Sequence, residues 1–221
     1  MFIDTERKYS PKIIGDLIFP NTHVESVVRA YASGEVTRPL ILSGRNGTGK
    51  SLIASLIPKA IEGIEKPVLN RVKAQDLNSN KEVLDKFTKN KMFDKFFTTN
   101  GQRFSYNIIE EVNFCPKARD AFRVVLDDYR GTDLTIITTN EVAQIDKGIK
   151  SRCEILEVPA LVPSIFFPYA KNIMKKEKVE ISDAALLSAL EAAYEDIPDN
   201  REYYKTLDSL FRQFHELQQA K

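Results

Sequence analysis

The sequence predicts an α/β chain: a parallel, helix-covered sheet carrying a phosphate-binding loop, followed by a small α-helical lid unit. Three observations carry this. Apolar strand-like runs alternate with helical patterns through residues 36–158, the sequence form of a parallel sheet. Residues 44–51, Gly-Arg-Asn-Gly-Thr-Gly-Lys-Ser, match Gly-x-x-x-x-Gly-Lys-[Ser/Thr] at every specified position. From Pro163 onward the alternation stops and only helical patterns follow. The expected domains are therefore 1–160 and 161–221, a nucleotide-binding unit and a helical lid.

Lys8-Tyr9-Ser10-Pro11 is polar and ends in a helix breaker, so it reads as an extended lead-in. Thr22-x-x-Glu25 is a capping-box signature, and Val24, Val27, Val28 and Tyr31 recur at helical spacing until Ser33-Gly34. Pro39-Leu40-Ile41-Leu42 is a buried strand. Leu52 to Ile57 starts a helix that Pro58 is expected to kink or shorten. Pro67-Val68-Leu69 begins a second strand. Ser79-x-x-Glu82 opens a helix to about Lys89, and residues 90–103 read as a loop.

Phe104 to Ile109 is a strand that ends in Glu110-Glu111. Pro116 suits the first turn of a helix to about Tyr129. Leu134 to Thr139 is β-branched and reads as a strand. Ile145 to Lys150 forms a short helix, and Glu154 to Val158 a last strand. Helices follow at about 164–177, 183–195 and 200–219. The last carries the apolar stripe Tyr203, Leu207, Leu210, Phe214 and Leu217.

Bulk properties narrow the class. The chain has 221 residues, enough to bury a core, with 43% hydrophobic and 29% charged residues. Its net charge of +1 requires any nucleic-acid surface to be local. No apolar run approaches the ~20 residues of a membrane span, and Met1-Phe2-Ile3-Asp4 is not a signal peptide, so no membrane partner is expected. Cys115 and Cys153 lack metal-ligand spacing and fit a reducing, cytoplasmic setting.

The chemistry starts at the loop. A strand, a glycine-rich turn and a helix N-terminus gather backbone N–H groups around an anion. Arg45, Asn46, Gly47, Thr48, Gly49 and Leu52 would surround the phosphates, Lys50 would reach the β- and γ-phosphates, and the Ser51 hydroxyl would take Mg²⁺. Such a loop needs a carboxylate at a neighbouring strand end, and Glu110-Glu111 stands there, where a solvated acidic pair is the bland alternative. Thr138-Thr139-Asn140 ends the next strand, where a polar side chain can orient water.

Together these positions resemble AAA+ ATPases. Lys8-Tyr9-Ser10-Pro11, the phosphate loop, Ile108-Ile109-Glu110-Glu111, Thr138-Thr139-Asn140 and Ser151-Arg152-Cys153 stand in that family's order. Ser-Arg-Cys and the Tyr-x-Pro lead-in resemble the clamp-loader group, meaning replication factor C small subunits and their bacterial and phage relatives. The resemblance covers about residues 6–210. It implies ATP and Mg²⁺ as cofactors, Glu110 on the metal and its water, and Glu111 as catalytic base. Asn140 matches the first sensor and Arg152 an arginine finger for a neighbouring subunit's ATP. Pro198-Asp199-Asn200-Arg201 is similar to the lid's Gly-Asp-x-Arg, with Arg201 as second sensor. Tyr9, Pro11 and Ile18 would lie near the adenine. Lys117, Arg119 and Arg123 match a segment that faces DNA, although a solvated helix face explains them equally well.

Some positions depart from the pattern. Glu110 is one methylene longer than the family's Asp, Pro198 replaces Gly, and Tyr203 replaces a small residue. Clamp-loader subunits continue into a helical collar past the point where this sequence stops, so a minimal or truncated module, or one that assembles another way, is expected. The reading is an ATP-hydrolysing module that assembles with AAA+ subunits, as a homo- or hetero-oligomer, and acts on DNA and a sliding clamp or other replication protein. The alternatives are a helicase loader, a transposition or defence regulator, or a weakly hydrolysing structural subunit.

Overall fold

A computed structural model describes residues 4–77, 79–89, 101–110, 118–128, 131 and 133–219. Its centre is a five-stranded sheet of β1 (Leu40–Ser43), β2 (Leu69–Lys73), β3 (Ser105–Glu110), β4 (Asp133–Thr139) and β5 (Glu154–Glu157). The order is β2-β3-β4-β1-β5, and every pairing is parallel. All strands therefore end along one edge, which collects Ser43, Glu110 and Thr139. Sheets of this kind bind ligands at that edge.

Strand alternation sends side chains to two covered faces. Leu40, Leu42, Ile108, Leu134 and Ile136 pack with Val24, Val28, Tyr31, Ile53, Leu56 and Ile57. Those come from α2 (Thr22–Ala32) and α3 (Lys50–Glu62), which follow the short α1 (Thr5–Tyr9). Ile41, Ile109 and Ile137 pack on the other face with Phe87, Phe122, Val125 and Ile149. Because both faces are covered, β1 and β4 are buried at every position.

The helix α3 continues past Pro58 to Glu62 and ends at Gly63 in the left-handed conformation. The expected shortening does not occur: Pro58 is buried, and its neighbours Leu56 and Ile57 are packed in the core. Past that end, the Glu62 carboxylate accepts the backbone N–H groups of Arg103 and Phe104 and the Tyr106 hydroxyl, fixing the entry to β3. The second capping box opens only a short helix, Asn80–Leu84, continued by a wider turn over Asp85–Lys89. The helix expected from Pro116 is described over Arg119–Asp128, and the helix expected from Ile145 is Lys147–Lys150. Pro116 and most of the 90–103 loop lie outside the described residues.

Three C-terminal helices, Pro163–Lys176, Asp183–Asp196 and Asn200–Gln219, share a third core of Phe166, Ala170, Ile173, Leu186, Leu190, Tyr203, Leu207 and Phe211. Tyr203, Leu207, Leu210 and Phe214 face it as the stripe requires, and Phe211 joins them buried; the Leu217 side chain lies outside the description. The buried Tyr203 hydroxyl donates to the Leu161 carbonyl at 2.6 Å.

The polar lead-in is not wholly extended. Thr5–Tyr9 forms one helical turn, because the Asp4 carboxylate accepts the Arg7 N–H and Pro11 stops propagation beyond Ser10. The turn packs on the C-terminal helices. Thr5 bonds Asp208, Lys8 and Tyr9 both reach Glu177, and the Tyr169 hydroxyl donates to the Tyr9 carbonyl. Among the described residues, no helix is long and apolar enough to cross a membrane.

Candidate nucleotide site

β1 delivers the chain at the sheet edge, residues 44–49 form the loop, and α3 begins at Lys50. Gly44 is required by space, and Gly47 by its backbone conformation. At Gly44, φ is 152° and an added Cβ would collide with the Val158 carbonyl. At Gly47, φ is 70° and an added Cβ would run into the Asp199 carboxylate. Asp199 comes from the turn before the last helix, where it also accepts the Arg201 N–H at 2.8 Å. The turn before the last helix therefore sits directly on the loop.

Lys50 is buried and donates to the carbonyls of Gly44 at 2.8 Å and Arg45 at 2.6 Å. Burial pushes its ammonium below the usual lysine range; nearby Arg201 pushes the same way and Asp199 opposes. Thr48 braces the loop through the Arg45 carbonyl at 3.1 Å. The Ser51 side chain stays exposed at the helix start.

A cavity of about 310 Å³ opens over this loop. Its polar wall is Asn46 through Ser51, Thr138, Thr139, Asn140 and Arg201. Its apolar wall includes Pro11, Ile18, Phe19, Val158 and Phe166. The lining thus combines an anion-binding nest and two cations with an apolar wall. That donor and wall set fits a nucleoside triphosphate. Leu52 also lines it, whereas Arg45 contributes its carbonyl to Lys50 and is not among the lining residues.

Tyr9 is not where the resemblance would put it. Its hydroxyl donates to Glu177 and it packs against the helical core, away from the cavity lining. Burial, followed by the Glu177 contact, pushes the phenol up to about 12. Glu6, one turn earlier, lines the cavity and lies 3.8 Å from Arg201. Sequence reasoning missed Glu6, because the turn that presents it is five residues long.

Glu110 ends β3 at the carboxyl edge. Arg71 of β2 bonds its Oε1 at 3.2 Å and also donates to Ser55 at 2.5 Å; Ser55 in turn donates to the Ser51 carbonyl. The Glu110 carboxylate and the Ser51 hydroxyl are hard oxygen donors, the kind Mg²⁺ takes. Arg71 shares that carboxylate, a competitor no sequence motif signalled. Glu111 and Lys117 lie outside the described residues.

Asn140 is exposed at the end of β4 and lines the cavity. The β4 end is tied to the loop by the Gly44 N–H, which donates to the Thr139 carbonyl at 3.3 Å. Arg152 is not among the residues that line this cavity. Its Nε and Nη2 hold Asp127 at 2.8 and 2.7 Å, and its Nη1 donates to the Gly148 carbonyl at 2.7 Å. Arg123 is occupied as well, by Asp146 at 2.8 Å and Asp120 at 3.0 Å. The Arg123 contact also holds the Asp146 carboxyl below its ordinary range. Arg119 is half-buried at the start of its helix. Of the three cations expected to face nucleic acid, the structure thus commits Arg123 to an internal network.

No family model matches the chain. The chain is 24% identical over 207 residues to the DNA polymerase III subunit gamma of Buchnera aphidicola subsp. Schizaphis graminum, covering 81% of this chain and 54% of that protein. It is 27% identical over 192 residues to the probable replication factor C subunit 2 of Dictyostelium discoideum, covering 86% and 56%. It therefore spans about half the length of these curated relatives. Among solved structures, Thermotoga maritima RuvB, titled a Holliday junction branch migration motor, matches with a TM-score of 0.60 at 15% identity, covering 91% of this chain and 72% of that one. A variant of the same protein reaches 0.68 at 16% identity, covering 88% and 62%.

Proposed function

We propose, from the premise that this chain is an AAA+-fold homologue of clamp-loader subunits, that it is an ATP-hydrolysing module completed by a neighbouring subunit. It would act on DNA as clamp loaders do. One observation carries the intersubunit reading: the cavity over residues 44–51 holds Lys50 and Arg201, while Arg152 stands outside it with its guanidinium anchored on a surface helix. The proposed division is an α/β unit to residue 160 and a helical lid beyond.

In this reading the triphosphate settles on the loop N–H groups, and Lys50 exchanges two carbonyls for phosphate oxygens. Ser51 and Glu110 would hold Mg²⁺, which supplies charge neutralisation on the phosphates. Asn140 orients water from the end of β4, and Glu111 is the proposed base. Arg201, from the lid, follows the γ-phosphate, so lid and loop close together. Pro11, Ile18 and the rest of the apolar wall take the base. Arg152 serves the next subunit's ATP, a contribution of about 10³–10⁵ in rate for such fingers.

Mass-resolved size measurement with and without ATP and primed DNA, with turnover on the same samples, tests this. Assembly with ATP and faster turnover with primed DNA and a sliding clamp is the expected result. A monomer that turns over ATP equally fast with and without these additions refutes it. Stimulation by a helicase or transposase in place of the clamp would move the module to another DNA machine.

A further inference from the structure

The segment that ends in Arg152 is gripped by one neighbouring helix, Arg119–Asp128, through two side chains one turn apart. Arg123 reaches Asp146, the residue that caps helix Lys147–Lys150, and Asp127 reaches Arg152 just past that helix's end. The pairs have opposite polarity, cation to anion and then anion to cation, so a slip of one turn would place like charges together. Gly148 sits between them. A Cβ there would lie 2.5 Å from the Arg123 Nε, and its carbonyl is the one that accepts from Arg152. Arg38 adds a third hold, donating to the Ser151 carbonyl at 3.0 Å.

The donors of Arg152 can be counted. A guanidinium has five N–H groups in a rigid fork. Asp127 takes Nε–H and one N–H of Nη2, the side-on edge, and Gly148 takes one N–H of Nη1. One N–H on each of Nη1 and Nη2 remains for a further acceptor such as a phosphate oxygen. The Arg152 side chain keeps 28% of its surface exposed.

We infer that Asp127 is the positioning residue for Arg152: it fixes the guanidinium by its side and leaves the remaining N–H groups for a γ-phosphate bound in the neighbouring subunit. This rests on the intersubunit reading above for its consequence in catalysis, but not for the hold itself. A free arginine on a surface spreads over many rotamers, and ordering it would then be charged to the transition state. Holding it beforehand removes that cost.

Two measurements test this. In the first, chains carrying Lys50→Ala, which can donate a finger but are expected to bind ATP roughly 100-fold more weakly, are mixed with chains carrying Arg152→Ala, which can bind ATP but lack the finger. Restored turnover of Mg-ATP then reports only on Arg152 of the first chain. Adding Asp127→Asn to the Lys50→Ala chain is expected to lower kcat about 10-fold, a fraction of the whole finger effect, with KM for ATP and the unfolding midpoint unchanged. Asp127→Glu is expected to restore part of it. Restored turnover that Asp127→Asn leaves intact overturns the inference while sparing the finger. In the second, proton exchange at the Arg152 Nε–H is followed by nitrogen-15 NMR, the resonance being assigned from its loss in Arg152→Lys. Protection lost in Asp127→Asn supports the hold even if mixing restores nothing, in which case the intersubunit reading fails. Unchanged protection overturns the inference whatever the kinetics show.

Discussion

Replacing Lys50 by Met separates what the loop lysine does for folding from what it does for binding. The methionine keeps the apolar stem in place and removes the ammonium from a site where Lys50 is only 8% exposed. In the empty loop that ammonium makes two charge-assisted bonds, to Gly44 O and Arg45 O, each worth about 1.5–3 kcal/mol. Its burial works against them, as its lowered pKa records. The two effects oppose, so the change in unfolding free energy should stay within about 1 kcal/mol, as for other buried ions replaced by apolar groups of similar volume. In binding the gain exceeds what is given up. On nucleotide entry the ammonium trades neutral carbonyls for anionic phosphate oxygens, and a unit charge pair at 4 Å gains about 4 kcal/mol at an effective dielectric of 20. Subtracting about 1 kcal/mol for what the ammonium contributes net in the empty loop, its two bonds set against its burial, leaves about 3 kcal/mol. That corresponds to a loss of roughly 100-fold in ATP affinity. Titration calorimetry gives the affinity, and a urea melt on the same sample gives the stability. An affinity within about threefold of wild type in a folded protein would refute the assignment of the loop.

Three other outcomes follow from the same structure. Arg152→Ala should leave ATP affinity unchanged and lower stimulated turnover about 10³-fold or more; equal turnover in a stopped assay would remove the residue from catalysis. Tyr203→Phe deletes the buried hydroxyl that caps the Leu161 carbonyl, so the urea midpoint should fall by the equivalent of about 1–3 kcal/mol, and an unmoved midpoint would show that carbonyl satisfied by other means. The Glu177 carboxyl is held low first by its hydrogen bond from Lys8 and then by that from Tyr9, and Tyr9 is raised to about 12. A lowered acid stabilises above its unfolded pKa and loses that contribution as pH falls through its folded one. A raised phenol stabilises below its unfolded pKa of about 10 and loses that contribution up to about 12. Glu177→Gln should therefore flatten the acid limb of the stability curve and shorten the alkaline one; melts from pH 2 to 11 that superimpose on wild type would contradict the cluster.

The order of strands and helices was legible because each left a period or a cap behind. The octapeptide at 44–51 and the β-branched run at 134–139 are local signals, and local signals survive in one dimension. The misses are of two kinds. Thr5–Tyr9 is too short to show a period, and the Pro58 rule yields to packing on both sides of the proline. The other misses are partnerships. Arg71 meets Glu110 across 39 residues, Asp127 meets Arg152 across 25, and Asp199 meets Gly47 from another layer of the molecule. In each case a charged residue's neighbour is decided by how strands, helices and the turn before the last helix are seated, which no stretch of sequence displays. Arg123 shows the converse: a cation that looks free for a polyanion in sequence is spent on Asp146 in space.

The short N-terminal turn has a mechanical consequence. Through Thr5, Lys8 and Tyr9 it is riveted to the C-terminal helices, while Ser10 and Pro11, immediately after it, form part of the cavity wall. The C-terminal helices are therefore joined to the rest of the chain by two lengths of backbone, at residues 10–11 and 158–162, and the Asp199 turn also rests on the loop at Gly47. Both lengths of backbone contribute to the cavity wall, Pro11 from one and Val158 and Leu161 from the other. A shift of the helices would therefore move two separate stretches of that wall together.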